Sequence, residues 1–147
     1  MGGHAWFYEV EYEEDVNAAL QKLRRREFQA GRYYPAMMFP PFPVRADSPA
    51  PGARHASIEA ALTAAHETGS RSILDMACVA SGRNYCTVSP LSKEQLLYFF
   101  GTDKPTGEMA RKKDELFEWL ERGQGVYIVL YEGDEPSGIF FAGYSFD

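Results

Sequence analysis

The chain has 147 residues, of which 45% are hydrophobic and 24% charged, and its formal net charge at pH 7 is −6. This composition predicts one soluble globular domain with a core large enough to need no disulfide framework. The negative charge argues against nucleic acid and anionic membrane surfaces as partners. Since there is no signal peptide and no apolar run near the ~20 residues that span a bilayer, we expect a cytoplasmic protein.

The amino-terminal part predicts a strand followed by a helix. Residues 5–12 place large apolar side chains at every second position, which is the period of a half-buried strand. Carboxylates at residues 13–15 favour the start of a helix, because they cap it and oppose its dipole. The apolar stripe that follows has helical spacing, and Gly31 predicts the end of the helix.

Residues 32–56 predict a long loop. Six of the nine prolines fall in this segment, interleaved with aromatic residues and methionines. Proline removes hydrogen-bond donors from a strand or helix and fixes φ, so regular structure is not expected before residue 57. A flexible linker would be poor in aromatic residues. We therefore expect an ordered, extended loop that packs on the body of the domain.

The middle of the chain predicts a helix and a hairpin. Ser57 caps the helix, which ends near Gly69. Residues 71–80 and 84–89 then read as two antiparallel strands, an arrangement that would put Cys78 opposite Cys86. Two reduced side chains in the core are the favoured interpretation, and a redox switch is the alternative.

A capping box begins the next helix at Ser92 and Gln95. Residues 96–100 are apolar nearly all round, so we expect this short helix to be buried on several sides. One further helix follows and ends at Gly123.

The carboxyl-terminal residues 126–146 predict a β-hairpin whose turn centres near Glu135. In that register Val129 faces Phe141. Both faces of the hairpin are apolar, which predicts a place inside a sheet that is covered on both sides, by its own chain or by a second copy.

The order of elements predicts an α+β fold in a single domain spanning residues 1–147. We expect an antiparallel or mixed sheet of about five strands with three to four helices. A helix leads into a hairpin twice, which suggests two α-β-β units.

Familiar catalytic and nucleotide-binding motifs are missing from the sequence, which disfavours an enzyme without excluding one, and no cofactor is expected. The amino-terminal Gly2, Gly3 and His4 have the donor groups of a square-planar Cu(II) or Ni(II) site once Met1 is removed. Three residues are a weak signal, and no metal site is predicted. Asp75 lies among apolar neighbours and is either exposed or buried with a shifted pKa, with Arg71 and Arg83 as candidate partners.

The proline-rich loop contains a candidate ligand site. Its arginines outnumber its single aspartate, although the whole chain is acidic. A basic, aromatic loop suits an anionic or aromatic small molecule, and the alternative is a covering segment whose arginines face water. The candidate residues are Arg32, Tyr33, Tyr34, Arg45, Arg54 and His55.

The favoured function is a non-catalytic interaction protein that forms a homodimer and binds a basic protein partner. The large apolar surface of the last third of the chain motivates this hypothesis. The candidate interface residues are Leu97, Tyr98, Phe99, Tyr127, Val129 and Phe141. The alternative is a small enzyme or ligand-binding domain with its pocket under residues 32–56.

Overall fold

The computed structural model describes residues 4–38 and 47–146. Regular elements in these two ranges comprise five strands, five α-helices and one 3-10 turn. The strands are β1 (Ala5–Glu11), β2 (Cys78–Val79), β3 (Thr87–Pro90), β4 (Gly125–Glu132) and β5 (Glu135–Tyr144). The helices are α1 (Val16–Ala30), α2 (Ile58–Ala64), α3 (Lys93–Phe100), α4 (Gly107–Arg111) and α5 (Asp114–Trp119), and the 3-10 turn is Ile73–Asp75.

The strands form one mixed sheet in the order β1-β5-β4-β3-β2. β5 pairs antiparallel with both β1 and β4, whereas β3 runs parallel to both β4 and β2. This arrangement confirms the predicted α+β fold with a mixed sheet of about five strands. The described part of the chain has five helices rather than three or four, because the predicted last helix consists of two short ones, α4 and α5.

The hairpin of β4 and β5 is covered on both faces by its own chain. Ile139 and Phe141 pack with Trp6 in a core under α1 and α2. Phe140 and Ala142 point to the opposite face and pack in a second core under α3, α4 and α5. The prediction of a hairpin buried on both faces is therefore confirmed. Burial of each large side chain contributes roughly 1.5–3 kcal/mol, so both cores stabilise these strands.

The register of the hairpin differs from the predicted one by two residues. The turn lies at Gly133 and Asp134, and Val129 pairs with Ile139. Gly133 has a φ of 63°, which a tight two-residue turn favours. The prediction assigned Pro136 to the turn, whereas it lies in β5. Because side chains alternate with a period of two, this shift leaves each one on its predicted face.

The predicted strand over residues 71–80 is wrong in its first half. The Ser72 hydroxyl accepts a hydrogen bond from the N–H of Leu74 at 3.2 Å and caps the 3-10 turn. This local bond competes with strand pairing, as serine side chains commonly do. Only Cys78 and Val79 remain in the sheet as β2.

The predicted antiparallel pairing of the next strand is also wrong. β2 and β3 are parallel, with Cys78 beside Thr87. The chain turns back between them, and Cys86 has a left-handed φ of 60° just before β3. Cys78 is exposed, Cys86 is partly buried, and both are free thiols. The cross-strand cysteine pair is therefore absent, and so is the first of the two predicted α-β-β units.

Helix α3 begins with the predicted capping box but is not buried on several sides. Ser92 Oγ accepts the N–H of Gln95, whose side chain accepts the N–H of Ser92 in return. Phe99 is 5% exposed, whereas Leu97 is 45% and Tyr98 77% exposed. Since successive residues are about 100° apart around a helix, one face packs on the sheet while these two side chains face outward.

Helix α1 has the predicted ends. Asp15 caps its start by accepting the N–H of Ala18 at 3.0 Å. Gly31 ends it in a left-handed conformation, and its N–H bonds the carbonyl groups of the last turn. Gly52 then packs directly on this end and donates its N–H to the carbonyl of Ala30 at 2.8 Å. The end of α1 therefore holds Gly52 and Ala53 in place.

We expect Gly31→Ala to lower the free energy of unfolding more than Gly101→Ala does. Both glycines have left-handed φ angles, 77° and 71°, which cost an alanine about 1–2 kcal/mol. A methyl group at residue 31 would in addition overlap the backbone of Gly52, whereas the space around residue 101 is open. Urea denaturation of the two variants measures the difference. Equal losses would contradict the close packing of Gly52 on α1.

Candidate functional site

Tyr33 and His55 of the predicted ligand site lie together, in the interior. The Tyr33 ring is fully buried and stacks on Phe28 with ring centres 5.7 Å apart. Its hydroxyl lies 2.8 Å from Nδ1 of His55 and accepts the backbone N–H of Arg54 at 3.2 Å. The side chain of Arg54 is exposed. These contacts fasten residues 54 and 55 to the first core, so the hydroxyl is engaged internally.

The other described members of the predicted set face different partners. Arg32 Nη1 lies 2.8 Å from the carboxylate of Glu27, and Nε of the same side chain donates to the carbonyl of Ser48 at 2.9 Å. Tyr34 packs under the guanidinium of Arg71, which lies 4.9 Å from the ring centre. Arg45 lies outside the described residues. The structure therefore brings Tyr33, Arg54 and His55 together and directs Arg32 and Tyr34 elsewhere.

Glu27 is a buried charge that the sequence reasoning missed. Its side chain is fully buried, and Oε2 lies 3.0 Å from Nε of Arg26 and 2.8 Å from Nη1 of Arg32. The second oxygen, Oε1, has no hydrogen-bond partner within the described ranges. The sequence does indicate this burial, because Glu27 follows Leu23 by four residues and so lies on the inner face of α1. A pair of arginines is what such a buried carboxylate requires.

Asp75 at the end of the 3-10 turn is a second buried carboxylate. Its Oδ1 accepts the N–H of Ser70 at 2.7 Å, while Oδ2 has no hydrogen-bond partner in the described part of the chain. Burial raises its pKa to about 6, against the opposing effects of the Ser70 hydrogen bonds and the charge of Arg24. Of the two expected partners, Arg71 lowers this pKa through a backbone hydrogen bond, and Arg83 is not among the groups that shift it.

Carboxylates gather at one end of the sheet. β1 ends beside the start of β5, where Glu11 pairs with Gly138, and the turn between β4 and β5 lies at the same end. Three cations pair with members of this group: Lys22, Lys104 and Arg111. We call this group the acidic end, and its eight members are Glu9, Glu11, Glu13, Glu14, Asp15, Glu132, Asp134 and Glu135. Eight carboxylates against three paired cations leave an excess that matches most of the net charge of −6.

An open groove of about 710 Å³ lies at the acidic end. Val10 and Leu23 provide apolar surface between β1 and α1. Three carboxylates and two cations also line the groove: Glu9, Glu11, Glu13, Lys22 and Arg26. β1 is an edge strand of the described sheet, where it pairs with β5. The groove thus combines negative charge, apolar surface and the exposed edge of a strand, three features that suit an extended basic segment.

The predicted interface residues do not form one surface. Phe99 and Phe141 are buried in two different cores, on opposite faces of the sheet. Tyr127 and Val129 are half-buried in β4. Leu97 and Tyr98 are the exposed members, and they lie side by side on α3.

Within the described residues, no three His, Cys, Asp or Glu side chains are grouped as metal ligands. Gly2 and Gly3 of the amino-terminal metal hypothesis lie outside those residues, and the backbone carbonyl of His4 accepts the N–H of Ser145 at 3.0 Å. None of the described helices combines the length and apolar character needed to cross a bilayer.

In comparisons with known proteins, no protein-family model, no curated protein and no solved structure matches this chain.

We expect Asp75→Asn to stabilise the protein above pH 6 but not near pH 4. The pKa of Asp75 is raised in the folded state from 3.8 to about 6, so the wild type loses stability as the pH rises between these values. The asparagine carries no charge and retains an oxygen for the N–H of Ser70. The difference in unfolding free energy should grow by about 3 kcal/mol over this range and then stay level.

Urea denaturation at several pH values between 4 and 8 measures this difference. Glu67→Gln, at an exposed carboxylate of the α2 region, is the matched control and should show no such change. A constant difference between wild type and Asp75→Asn across the range would contradict the buried, destabilised carboxylate.

Proposed function

We propose that this protein is a non-catalytic, cytoplasmic interaction module that binds a basic partner protein at the acidic end of its sheet. The observation that carries the proposal is the placement of the carboxylates. Three of them, Glu9, Glu11 and Glu13, line an open groove between β1 and α1, and the others lie at the same end of the sheet, in the β1–α1 loop and at the turn between β4 and β5. Free cysteines at positions 78 and 86 fit a reducing compartment.

The geometry of the groove suits an extended Arg- or Lys-rich segment. Such a segment can lie along the edge of β1 and hydrogen-bond to its backbone, while its cations meet the carboxylates on either side. Glu11 and Glu14 are exposed, and no ion pair of theirs is observed in the described residues. Charge complementarity of this kind speeds association and selects the partner more than it adds affinity.

We expect an arginine-rich decapeptide to bind the wild type at low ionic strength and to bind more weakly as salt is added. The double variant Glu11→Lys/Glu14→Lys should weaken binding about tenfold, because two attractions of up to about 1 kcal/mol each become repulsions. Isothermal titration calorimetry measures the affinity. NMR titration should place the shifted amides in β1 and the β4–β5 turn.

The matched control is Glu67→Lys/Glu118→Lys, which reverses two exposed carboxylates away from the acidic end. It should leave the affinity nearly unchanged. An equal loss in both double variants would show that the peptide responds only to net charge and would overturn the proposed site. The same conclusion would follow if the wild type did not bind the peptide at low salt.

Self-association through α3 is a second proposal, and the exposure of Leu97 and Tyr98 favours it. Two large apolar side chains side by side on one helix are surface that a symmetric dimer can bury. The hairpin gives this proposal no further support, because the helices of the same chain cover both of its faces.

We expect the wild type to sediment as a dimer at micromolar concentration and Leu97→Glu/Tyr98→Glu to sediment as a monomer. Like charges brought together across a two-fold axis repel each other, and the apolar contact is lost. Analytical ultracentrifugation measures both. Since the two side chains face outward, thermal unfolding of the variant should remain cooperative. A monomeric wild type would contradict self-association.

A further inference from the structure

A second, smaller cleft lies on the opposite half of the sheet from the acidic end. Its volume is about 300 Å³. The loop at 81–83, which follows β2, forms one wall, and another is formed by Pro90 at the end of β3 and the two residues that follow it. The cleft is therefore at the carboxyl ends of two parallel strands. Open sheets with parallel strands commonly bind ligands at this place.

Ser89 lines the inner part of the cleft and has an unused hydroxyl. The residue is 1% exposed and lies in β3 beside Val126 of β4. Its Oγ is closed off from solvent and has no hydrogen-bond partner among the described residues. A buried hydroxyl without a partner destabilises a fold, so a ligand atom that accepts its hydrogen bond would remove a penalty already present.

The start of α3 adds two more donors to the cleft. Ser92 Oγ already accepts the N–H of Gln95, which leaves the hydroxyl hydrogen of Ser92 to donate. The Gln95 carbonyl oxygen accepts the N–H of Ser92, which leaves the side-chain NH₂ group to donate. The capping box thus fixes both side chains with their donors unused. The positive end of the helix dipole favours an anion at the same place.

Arg83 supplies the positive charge of the cleft. Its guanidinium lies 4.2 Å from the ring centre of Trp119, and Nε donates to the side-chain oxygen of Gln124 at 3.1 Å. The carboxylate of Glu121 is 3.9 Å from Nη2, too far for a hydrogen bond. The guanidinium is therefore positioned by Trp119 and Gln124, and its ion pair with the exposed carboxylate of Glu121 is the contact that a ligand oxyanion would replace. None of the described residues that line the cleft is acidic.

We propose that this cleft binds a small ligand bearing a carboxylate or phosphate group. The oxyanion accepts hydrogen bonds from Ser89, Ser92 and Gln95 and pairs with Arg83. The remainder of the ligand lies against the apolar surface of Leu91, Trp119 and Val126. This site is independent of the acidic end, since it has the opposite charge preference and is formed by different elements.

The experiment is an NMR titration of the ¹⁵N-labelled protein with inorganic phosphate, phenyl phosphate and benzoate at millimolar concentrations. At least one probe should shift the amides of residues 81–83 and 89–95 together. Phosphate and benzoate distinguish the two oxyanions, and phenyl phosphate tests the apolar wall.

Arg83→Gln should weaken binding about tenfold, as the loss of a charge-assisted hydrogen bond predicts. Arg25→Gln, at an exposed arginine of α1, is the control and should bind as the wild type does.

Ser89→Ala separates a ligand role from a structural one. Because the hydroxyl has no partner in the protein, its removal should leave the melting temperature unchanged or raised while it weakens probe binding. The proposal is overturned if none of the three probes shifts these amides. It is equally overturned if Arg25→Gln weakens binding as much as Arg83→Gln, or if Ser89→Ala lowers the melting temperature and leaves binding intact.

Discussion

The hairpin of β4 and β5 is the constraint on which the rest of the fold depends, because it must be apolar on both faces. Two helices cover one face and three cover the other, and the two cores meet only through the sheet. Close packing extends to the backbone: the Trp6 ring lies so near Gly143 that a methyl group there would overlap it. Most of the polar sites described above therefore lie at the ends of the strands and along the connecting segments.

Two buried carboxylates fix those connecting segments. Glu27 holds Arg32, which in turn holds the backbone of Ser48, and Asp75 binds the backbone of Ser70. Each carboxylate leaves one oxygen without a hydrogen-bond partner in the described structure. Each therefore holds a neighbouring segment at the cost of removing a carboxylate from water. Within the described residues of the segment at 32–56, Arg32 and Tyr33 likewise contact the protein itself.

Local patterns predicted the parts of the fold that local forces determine. The caps at Asp15 and Ser92 and the two apolar faces of the last hairpin follow from hydrogen bonding and side-chain periodicity within a few residues. The parallel pairing of β2 and β3 depends on the left-handed φ of Cys86, and a cysteine in a sequence does not predict that conformation. The donor-lined cleft was missed for the same reason, because its walls come from segments that only this pairing brings together.

The order of the strands in the sheet also determines when the protein can fold. β4 and β5 are made last among the described elements, yet they lie between β1 and β3. Until β5 has been made, β1 lacks its described partner in the sheet, whereas α1 can already contact the 3-10 turn and β2. The pairing of Ala5 with Tyr144 joins residues from the two ends of the described chain, and such long-range contacts predict slow folding in which Trp6 and its neighbours stay uncovered until β5 is made.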